Sequence, residues 1–185
     1  NGTLWGRGSN NNGDLGTGNT LALINLTQIG TDTDWLKISA ARQRFTLALK
    51  SNGTLWAWGN NENGRLGDGT TINRHSPVQI GTSTWKDIAA GNYHSIGIKT
   101  DGTLWQWGSY GWFATGILIP NSNFPVQVGT DSDWKKVEAG NCFSYAIKED
   151  NTLYTWGNKN IYYGDNNLIS DLTPTLMPCN LLSSI

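Results

Sequence analysis

Apolar and polar residues alternate along much of the chain with a period of two, which is typical of half-buried β-strands. Between residues 85 and 128 the alternation predicts four short strands, at residues 85–91, 93–99, 103–107 and 125–128. Pro125 would open the last of these strands, a position where a missing backbone N–H is tolerated. Gly, Asn, Thr and Trp are abundant and are poor or mediocre helix formers. We therefore predict an all-β fold built from short antiparallel strands.

A tight turn joins the second and third predicted strands in every copy of this pattern. It contains Asn52-Gly53 in one copy and Asp101-Gly102 in the next. These dipeptides accommodate the positive φ angles of a type I′ turn, whose twist matches that of a hairpin. Asn151 replaces the glycine in the last copy and can also adopt a left-handed conformation. The sequence thus predicts a series of type I′ hairpins.

The strand pattern repeats with a period of about fifty residues. Gly-Thr-Leu-Trp occurs at residues 2–5, 53–56 and 102–105, and a related segment occurs at residues 151–154. A tryptophan that precedes or opens the first strand of each copy keeps the same spacing, at Trp35, Trp85 and Trp134. Four short antiparallel strands repeated in this way indicate the blades of a β-propeller.

We predict three complete blades at residues 35–81, 85–129 and 134–178. A half blade with only the last two strands precedes them at residues 1–30, and residues 179–185 form a tail. With about three and a half blades, the chain is expected to be a segment of a longer repeat protein. Expressed alone, it would expose a blade face at each end and tend to associate. The expected partners are therefore another protein or the missing blades.

Two segments closely resemble the repeat of the regulator of chromosome condensation family. Residues 88–108 read Ile-Ala-Ala-Gly-Asn-Tyr-His-Ser-Ile-Gly-Ile-Lys-Thr-Asp-Gly-Thr-Leu-Trp-Gln-Trp-Gly, and residues 60–70 form the matching Asn-rich loop. The resemblance covers about residues 2–178 and implies a propeller of about seven blades. It also implies that His94 belongs to the scaffold, where its ring would bond backbone groups between blades.

Several positions depart from the repeat. Arg7 stands where later copies have tryptophan, and Arg42 and Arg44 stand where the second copy has Gly91 and Tyr93. Aromatic and arginine side chains are enriched in protein interfaces, and loops on a rigid scaffold can vary without harming the core. We therefore predict that off-pattern residues contact a partner, and these are Arg42, Arg44, Tyr110, Trp112, Phe113, Tyr162 and Tyr163.

The recurrent tryptophans are interpreted as packing residues between blades, because tryptophan combines a large apolar area with one donor. A sugar-binding aromatic platform is the alternative interpretation of the pairs Trp56/Trp58 and Trp105/Trp107. The predicted structural residues are His94, Trp35, Trp85, Trp134, Trp58, Trp107 and Trp156.

Composition narrows the possible chemistry. The net charge is −1 and only 15% of residues are charged, so the clustered cations of a nucleic-acid binder are missing. The apolar runs are too short to cross a bilayer, and we expect no membrane insertion. The Gly-rich loops lie between strands, not before a helix, so no cofactor is predicted. Two cysteines, Cys142 and Cys179, are too few for a four-ligand zinc site. The sequence does not decide whether they form a disulfide with each other.

Two pairs of aspartates precede predicted strands, Asp32 with Asp34 and Asp131 with Asp133. They are too few to fill the coordination sphere of calcium, and we interpret them as turn formers. No metal site is predicted. The neighbours His94 and Ser95 point to opposite faces of a strand, which argues against a catalytic pair.

We predict a non-enzymatic protein-binding scaffold. Copies rich in Asn, Thr and Gly with little charge resemble bacterial secreted or cell-surface members of the family more than nuclear ones, so an extracellular or cell-surface location is expected. Three alternatives remain open: a proteinaceous enzyme inhibitor that uses one propeller face, a guanine nucleotide exchange factor, and a glycan-binding propeller.

Overall fold

The computed structural model describes residues 1–109, 121–157 and 171–177. Within these ranges the protein forms thirteen β-strands, one 3-10 turn at Glu62–Gly64 and no α-helix. The prediction of an all-β fold is therefore confirmed. The strands are β1 (Trp5–Gly8), β2 (Leu23–Gln28), β3 (Trp35–Ala41), β4 (Phe45–Lys50), β5 (Thr54–Gly59), β6 (Arg74–Ala90), β7 (His94–Lys99), β8 (Leu104–Gly108), β9 (Ser122–Gln127), β10 (Trp134–Ala139), β11 (Phe143–Lys148), β12 (Leu153–Gly157) and β13 (Asp171–Leu176).

The strands pair antiparallel and in chain order. Strands β10 to β13 form a four-stranded sheet, and β1 and β2 form a two-stranded one. Strands β3 to β9 are joined into one sheet because β6, which is 17 residues long, pairs with β5 through its first part and with β7 through its last part. β6 is thus the last strand of the first four-stranded unit (β3–β6) and the first strand of the second unit (β6–β9), and β10–β13 form the third unit.

The hairpin turns are not of type I′, so this prediction was wrong. Gly53 has a φ of 81°, whereas the preceding Asn52 does not have a positive φ. The Gly53 N–H donates to the carbonyl of Lys50 at 2.9 Å, which places one left-handed residue at the end of the turn. Asn52 instead uses its side-chain Oδ1 to accept the N–H of Thr54 at 3.0 Å. This local bond favours an Asx turn over the predicted backbone geometry.

The prolines of the outer strands lie inside the strands, not at their start as predicted for Pro125. β9 begins at Ser122, and Pro77 and Pro174 are also internal to β6 and β13. Each proline falls where the pairing with the neighbouring strand shifts register. Because each also lies on the outermost strand of its unit, the missing N–H costs no ladder bond.

Apolar side chains between successive units form the core. Strand β4 is buried along its whole length, and Trp58 and Trp107 expose only 1% and 0% of their surface. Trp58 packs edge-on against Trp35 at 5.9 Å between ring centroids, and Trp85 packs against Trp107 at 5.7 Å. Burying one large apolar side chain contributes about 1.5–3 kcal/mol. This core makes a rigid frame that positions the loops.

Candidate functional site

A chain of side-chain hydrogen bonds explains why Gly-Thr-Leu-Trp recurs. Asp101 Oδ1 accepts the Oγ1–H of Thr103 at 2.6 Å, and Thr103 Oγ1 accepts the Nε1–H of Trp105 at 2.8 Å. The bonds from Thr103 hold the pKa of Asp101 below its usual value. The same chain links Asn52, Thr54 and Trp56. The repeated segment therefore fixes a tryptophan ring, Trp56 or Trp105, beside the hairpin turns of these two units.

A lysine lies against aromatic rings in each four-stranded unit. Lys50 Nζ is 4.9 Å from the ring centroids of both Trp35 and Trp56. It also forms ion pairs with Asp32 at 2.8 Å and with Asp34 at 3.1 Å. Burial opposes the charge of Lys50, but the hydrogen bonds to both aspartates outweigh it and raise the lysine pKa. The aspartates interpreted as turn formers thus act as ion-pair partners.

The third unit repeats this arrangement and the second does not. Lys148 pairs with Asp131 at 2.7 Å and with Asp133 at 3.0 Å. The hydrogen bond that Lys148 donates to Asp131, followed by the one to Asp133, raises the pKa of Lys148. In the second unit Lys99 Nζ lies 3.4 Å from the ring centroid of Trp105, and Thr82 and Thr84 occupy the acidic positions.

His94 connects two neighbouring units. Its Nε2 lies 2.8 Å from the Oγ of Ser144, which is in the next unit. The partner is therefore a side-chain hydroxyl, whereas the sequence led us to expect a backbone group. Ser95 points the other way, and its hydroxyl donates to the carbonyl of Arg65 at 2.7 Å. Burial lowers the pKa of His94 to about 4, so the ring is neutral at physiological pH.

Asp87 joins three units near their first strands. Its Oδ1 pairs with the Lys37 ammonium of the preceding unit, and its Oδ2 accepts the backbone N–H of Val137 in the following unit at 2.9 Å. Asp87 was not among the residues predicted to be structural or functional. The available signal is that lysines, Lys37 and Lys136, occupy the equivalent positions in the other two units.

Arg65 is a second residue that sequence analysis missed. Its side chain is 1% exposed and lies 5.8 Å from the ring of Phe45 and 5.7 Å from the ring of Tyr93. Its Nε donates to the carbonyl of Glu62 at 2.7 Å. Burial lowers the pKa of Arg65. Arg65 therefore holds a loop of one unit against the neighbouring unit, and it is not a free contact residue.

Two of the off-pattern residues, Arg7 and Arg44, meet in a cleft of about 410 Å³ between β1 and β3–β4. Arg7, Asp14 and Arg44 line it together with apolar residues such as Leu26 and Phe45. Burial raises the pKa of Asp14, and the charge of Arg44 partly opposes this effect. The Oδ1 atom of Asp14 is buried and has no hydrogen-bond partner among the described residues.

Arg42 and Arg44 are both exposed. The strand register shows that they correspond to Gly91 and Tyr93 of the second unit. Gly91 is buried and Tyr93 is half-buried. Arg44 also adopts a left-handed backbone with a φ of 67°. The loop between β3 and β4 therefore presents two positive charges that the second and third units lack.

The other predicted contact residues, Tyr110, Trp112, Phe113, Tyr162 and Tyr163, lie outside the described residues. Cys179 does too, so a bond to Cys142 is not described. Cys142 itself is a buried free thiol whose pKa burial raises.

The two tryptophan pairs considered for a sugar-binding platform do not present the exposed ring faces that such a platform requires. Trp58 and Trp107 are fully buried, and lysines occupy the space beside Trp56 and Trp105. Among the residues with assigned structure, no group of three or more His, Cys, Asp or Glu side chains could hold a metal ion. In the same residues no helix is long and apolar enough to cross a membrane.

The antiparallel four-stranded units and their buried tryptophans define a protein built from propeller blades. Two family models match the chain, and both describe the regulator of chromosome condensation (RCC1) repeat. One matches residues 52–98 and the other matches residues 38–65 and 134–167. The chain belongs to the RCC1 repeat family, which confirms the resemblance found in the sequence.

Known proteins share this fold. Mouse E3 ubiquitin-protein ligase HERC2 is 34% identical over 102 residues, which are 51% of this chain and 2% of that protein. The crystal structure of human WBSCR16 matches 96% of this chain with a TM-score of 0.79 and 17% identity. Yeast RCC1 (Prp20), solved with bound Kap60, also matches 96% of this chain, with a TM-score of 0.77 and 17% identity. These matches confirm the β-propeller fold.

The chain spans about half the length of the solved structures it matches. It covers 48% of the WBSCR16 chain and 46% of the yeast RCC1 chain. The chain thus corresponds to part of a propeller.

Proposed function

We propose that this protein is a non-enzymatic scaffold that binds another protein, and that Arg42 and Arg44 contribute to the contact surface. The observation that carries the proposal is the local break in the repeat. Two exposed arginines stand where the second and third units have Gly91 with Tyr93 and Gly140 with Cys142. Arginine is enriched in binding hot spots, and a rigid frame allows such a loop to vary while the core is kept.

The chemistry of the cleft beside this loop indicates the kind of partner. Arg7 and Arg44 bring two positive charges to it, and Asp14 brings one carboxyl group. Leu26 and Phe45 add apolar wall. We propose a partner with an acidic surface segment that also inserts an apolar side chain. Yeast RCC1, solved with bound Kap60, supports protein binding as one use of the fold.

The test compares the double variant R42A/R44A with the control K135A/K136A, which removes two exposed lysines from β10. Each purified protein is used to capture partners, and a captured protein is then titrated by calorimetry. We expect R42A/R44A to bind at least about tenfold more weakly, because arginine hot spots cost more than 1 kcal/mol when truncated. Equal affinity for R42A/R44A and wild type contradicts the proposed surface. The absence of any saturable protein partner contradicts the proposed function.

We also propose that the protein acts outside the cell, at the surface of a bacterium or secreted from it. The low proportion of charged residues, 15%, and the Asn-, Thr- and Gly-rich repeats support this location. The test is detection of the native protein in culture medium or its digestion by protease added to intact cells. Recovery of the protein from the cytosol alone would contradict the proposal.

A further inference from the structure

Strand β2 differs from the other outermost strands of the protein in lacking a proline. Equivalent residues are identified by register, because Gln28 pairs with Trp5 just as Gln79 pairs with Trp56 and Gln127 pairs with Trp105. Two residues before each glutamine stand Leu26, Pro77 and Pro125 respectively. In β13, Pro174 occupies the same place before Leu176, which pairs with Tyr154. Leu26 therefore replaces a residue that three other strands share.

The shared proline affects the outer edge of the strand, which is the edge that faces away from the rest of its sheet. The Ile29 N–H donates to the carbonyl of Leu4 at 2.9 Å, so it points towards β1. Alternation along the strand then turns the N–H groups of Gln28 and Leu26 away from β1, towards the outer edge. In β9 the corresponding N–H of Val128 points inward to Leu104, and Pro125 removes a donor from the outer edge. Prolines on exposed edges prevent pairing with another strand.

The outer edge of β2 lacks the other common protections as well. Residues 15–31 contain no charged side chain. Ile24 and Leu26 are 90% and 63% exposed. In the part of the chain that the structure describes, β2 pairs with β1 alone. A neutral, apolar strand with available donors on its edge is a template for a further strand.

We propose that two copies of this chain associate by antiparallel pairing of β2 with β2. A two-fold axis through Thr27 satisfies the geometry. Leu26 of one copy then exchanges both of its backbone hydrogen bonds with Gln28 of the other, since the polar groups of both residues face the outer edge. Thr27 faces Thr27 across the axis, and threonine pairs in this position are favourable. No like charges oppose each other, because the segment is neutral.

A second copy of the chain fits this edge because the pairing is self-complementary. The two-fold contact uses the same strand, β2, in both copies and no other surface of the protein. The edge lies on the side of β2 that faces away from β1, and no strand of the described residues covers it. The contact involves few residues and lies at the low end of interface sizes, so we expect weak, concentration-dependent dimers. This dimer uses the backbone edge of β2, whereas the side chain of Leu26 also lines the cleft beside Arg44.

The first test is sedimentation equilibrium of wild type and the L26P variant. Proline is already present at the equivalent position of three strands, so L26P should melt at the same temperature as wild type while self-association weakens at least about tenfold. A T27K variant, which places like charges across the axis, should behave in the same way. A wild-type chain that stays monomeric at all concentrations, or L26P and T27K variants that associate as wild type does, would overturn the proposal.

The second test remains decisive even if L26P folds poorly. A cysteine at Thr27 should form a disulfide between copies, because facing residues of an antiparallel pair lie within the Cα separation that a disulfide spans. V126C is the matched control, since Val126 occupies the same register in β9 beside Pro125. Peptide mapping distinguishes these links from any that involve Cys142 or Cys179. We expect cross-linking through T27C only; equal cross-linking through V126C would refute specific pairing through β2.

Discussion

The Nε2 atom of His94 lies 2.8 Å from the hydroxyl of Ser144, and this bond joins two four-stranded units at residues that are 50 positions apart. In the units on either side, Phe45 and Phe143 occupy the register position of His94 opposite a glycine. The position thus accepts an aromatic ring in all three four-stranded units, and in the second unit the ring also forms a polar bond to the next unit.

Replacing His94 with alanine should destabilise the protein strongly. The H94A variant leaves a cavity and removes the partner of Ser144, and we expect a loss of about 2–4 kcal/mol in the free energy of unfolding. Urea unfolding measures this quantity. The S144A variant should cost about 1 kcal/mol, and H75A, which alters an exposed histidine, should change little. A loss for H94A no larger than that for H75A would contradict the role of His94 between units.

The free energy of unfolding should decrease as the pH is lowered and His94 becomes protonated. Burial lowers the pKa of His94 from 6.5 to about 4, so the unfolded chain binds more protons than the folded one between these values. The contribution of neutral His94 is complete above about pH 6.5 and is lost as the pH falls towards 4. The slope should reach about 1.4 kcal/mol per pH unit.

The variant H94F isolates this effect, because phenylalanine occupies the same position in two other units. We expect wild type to lose unfolding free energy relative to H94F as the pH is lowered from about 7 to about 4.5. A difference that is constant over this range would mean that His94 does not titrate with a lowered pKa.

Lys148 should contribute more to stability than Lys99. Both ammonium groups lie over aromatic rings, but only Lys148 pairs with carboxylates, those of Asp131 and Asp133. These aspartates are about half exposed, so the added effect is modest, at about 0.5–1 kcal/mol. We expect K148M to cost that much more than K99M in chemical denaturation, with the gap closing at high salt. Equal costs at low salt would contradict this interpretation.

Substitutions at two glycines distinguish the cost of backbone strain from the cost of a steric clash. Gly102 and Gly129 both have positive φ angles, 83° and 67°. A Cβ on Gly102 would clash with the carbonyl oxygen of Ser132, whereas a Cβ on Gly129 meets nothing within 4 Å. We expect G129A to cost about 1–2 kcal/mol and G102A to cost more than about 3 kcal/mol. Similar unfolding free energies for G102A and G129A would show that the turn can move away from Ser132.

Local patterns were sufficient to predict the strands and their order. The alternation around Trp85 and the turn at Asp101-Gly102 depend on residues that are near in the sequence, and the structure confirms the antiparallel strands there. The turn type was wrong because the side chain of Asn52 bonds the backbone two residues later. The place of Pro125 was missed because it depends on which edge of the sheet the residue faces.

The candidate sites were harder to predict. Arg42 and Arg44 could be identified because they break the repeat, but their exposure depends on how the loop before β4 leaves the sheet. Arg65 looked like an ordinary polar loop residue, yet it is buried against Phe45 and Tyr93. Arg65 is buried only because the first and second units pack against each other, and the sequence around Arg65 does not encode that contact.

The sequence by itself determined the all-β class, the period of about fifty residues and the family, because short-range alternation and repeated motifs persist in any arrangement of the chain. Only the tertiary structure decided which residues of different units touch. Asp87 lies between Lys37 and Val137, each 50 residues away, and no local pattern encodes contacts of that separation. They arise because stacking equal units brings equivalent positions of neighbouring repeats side by side.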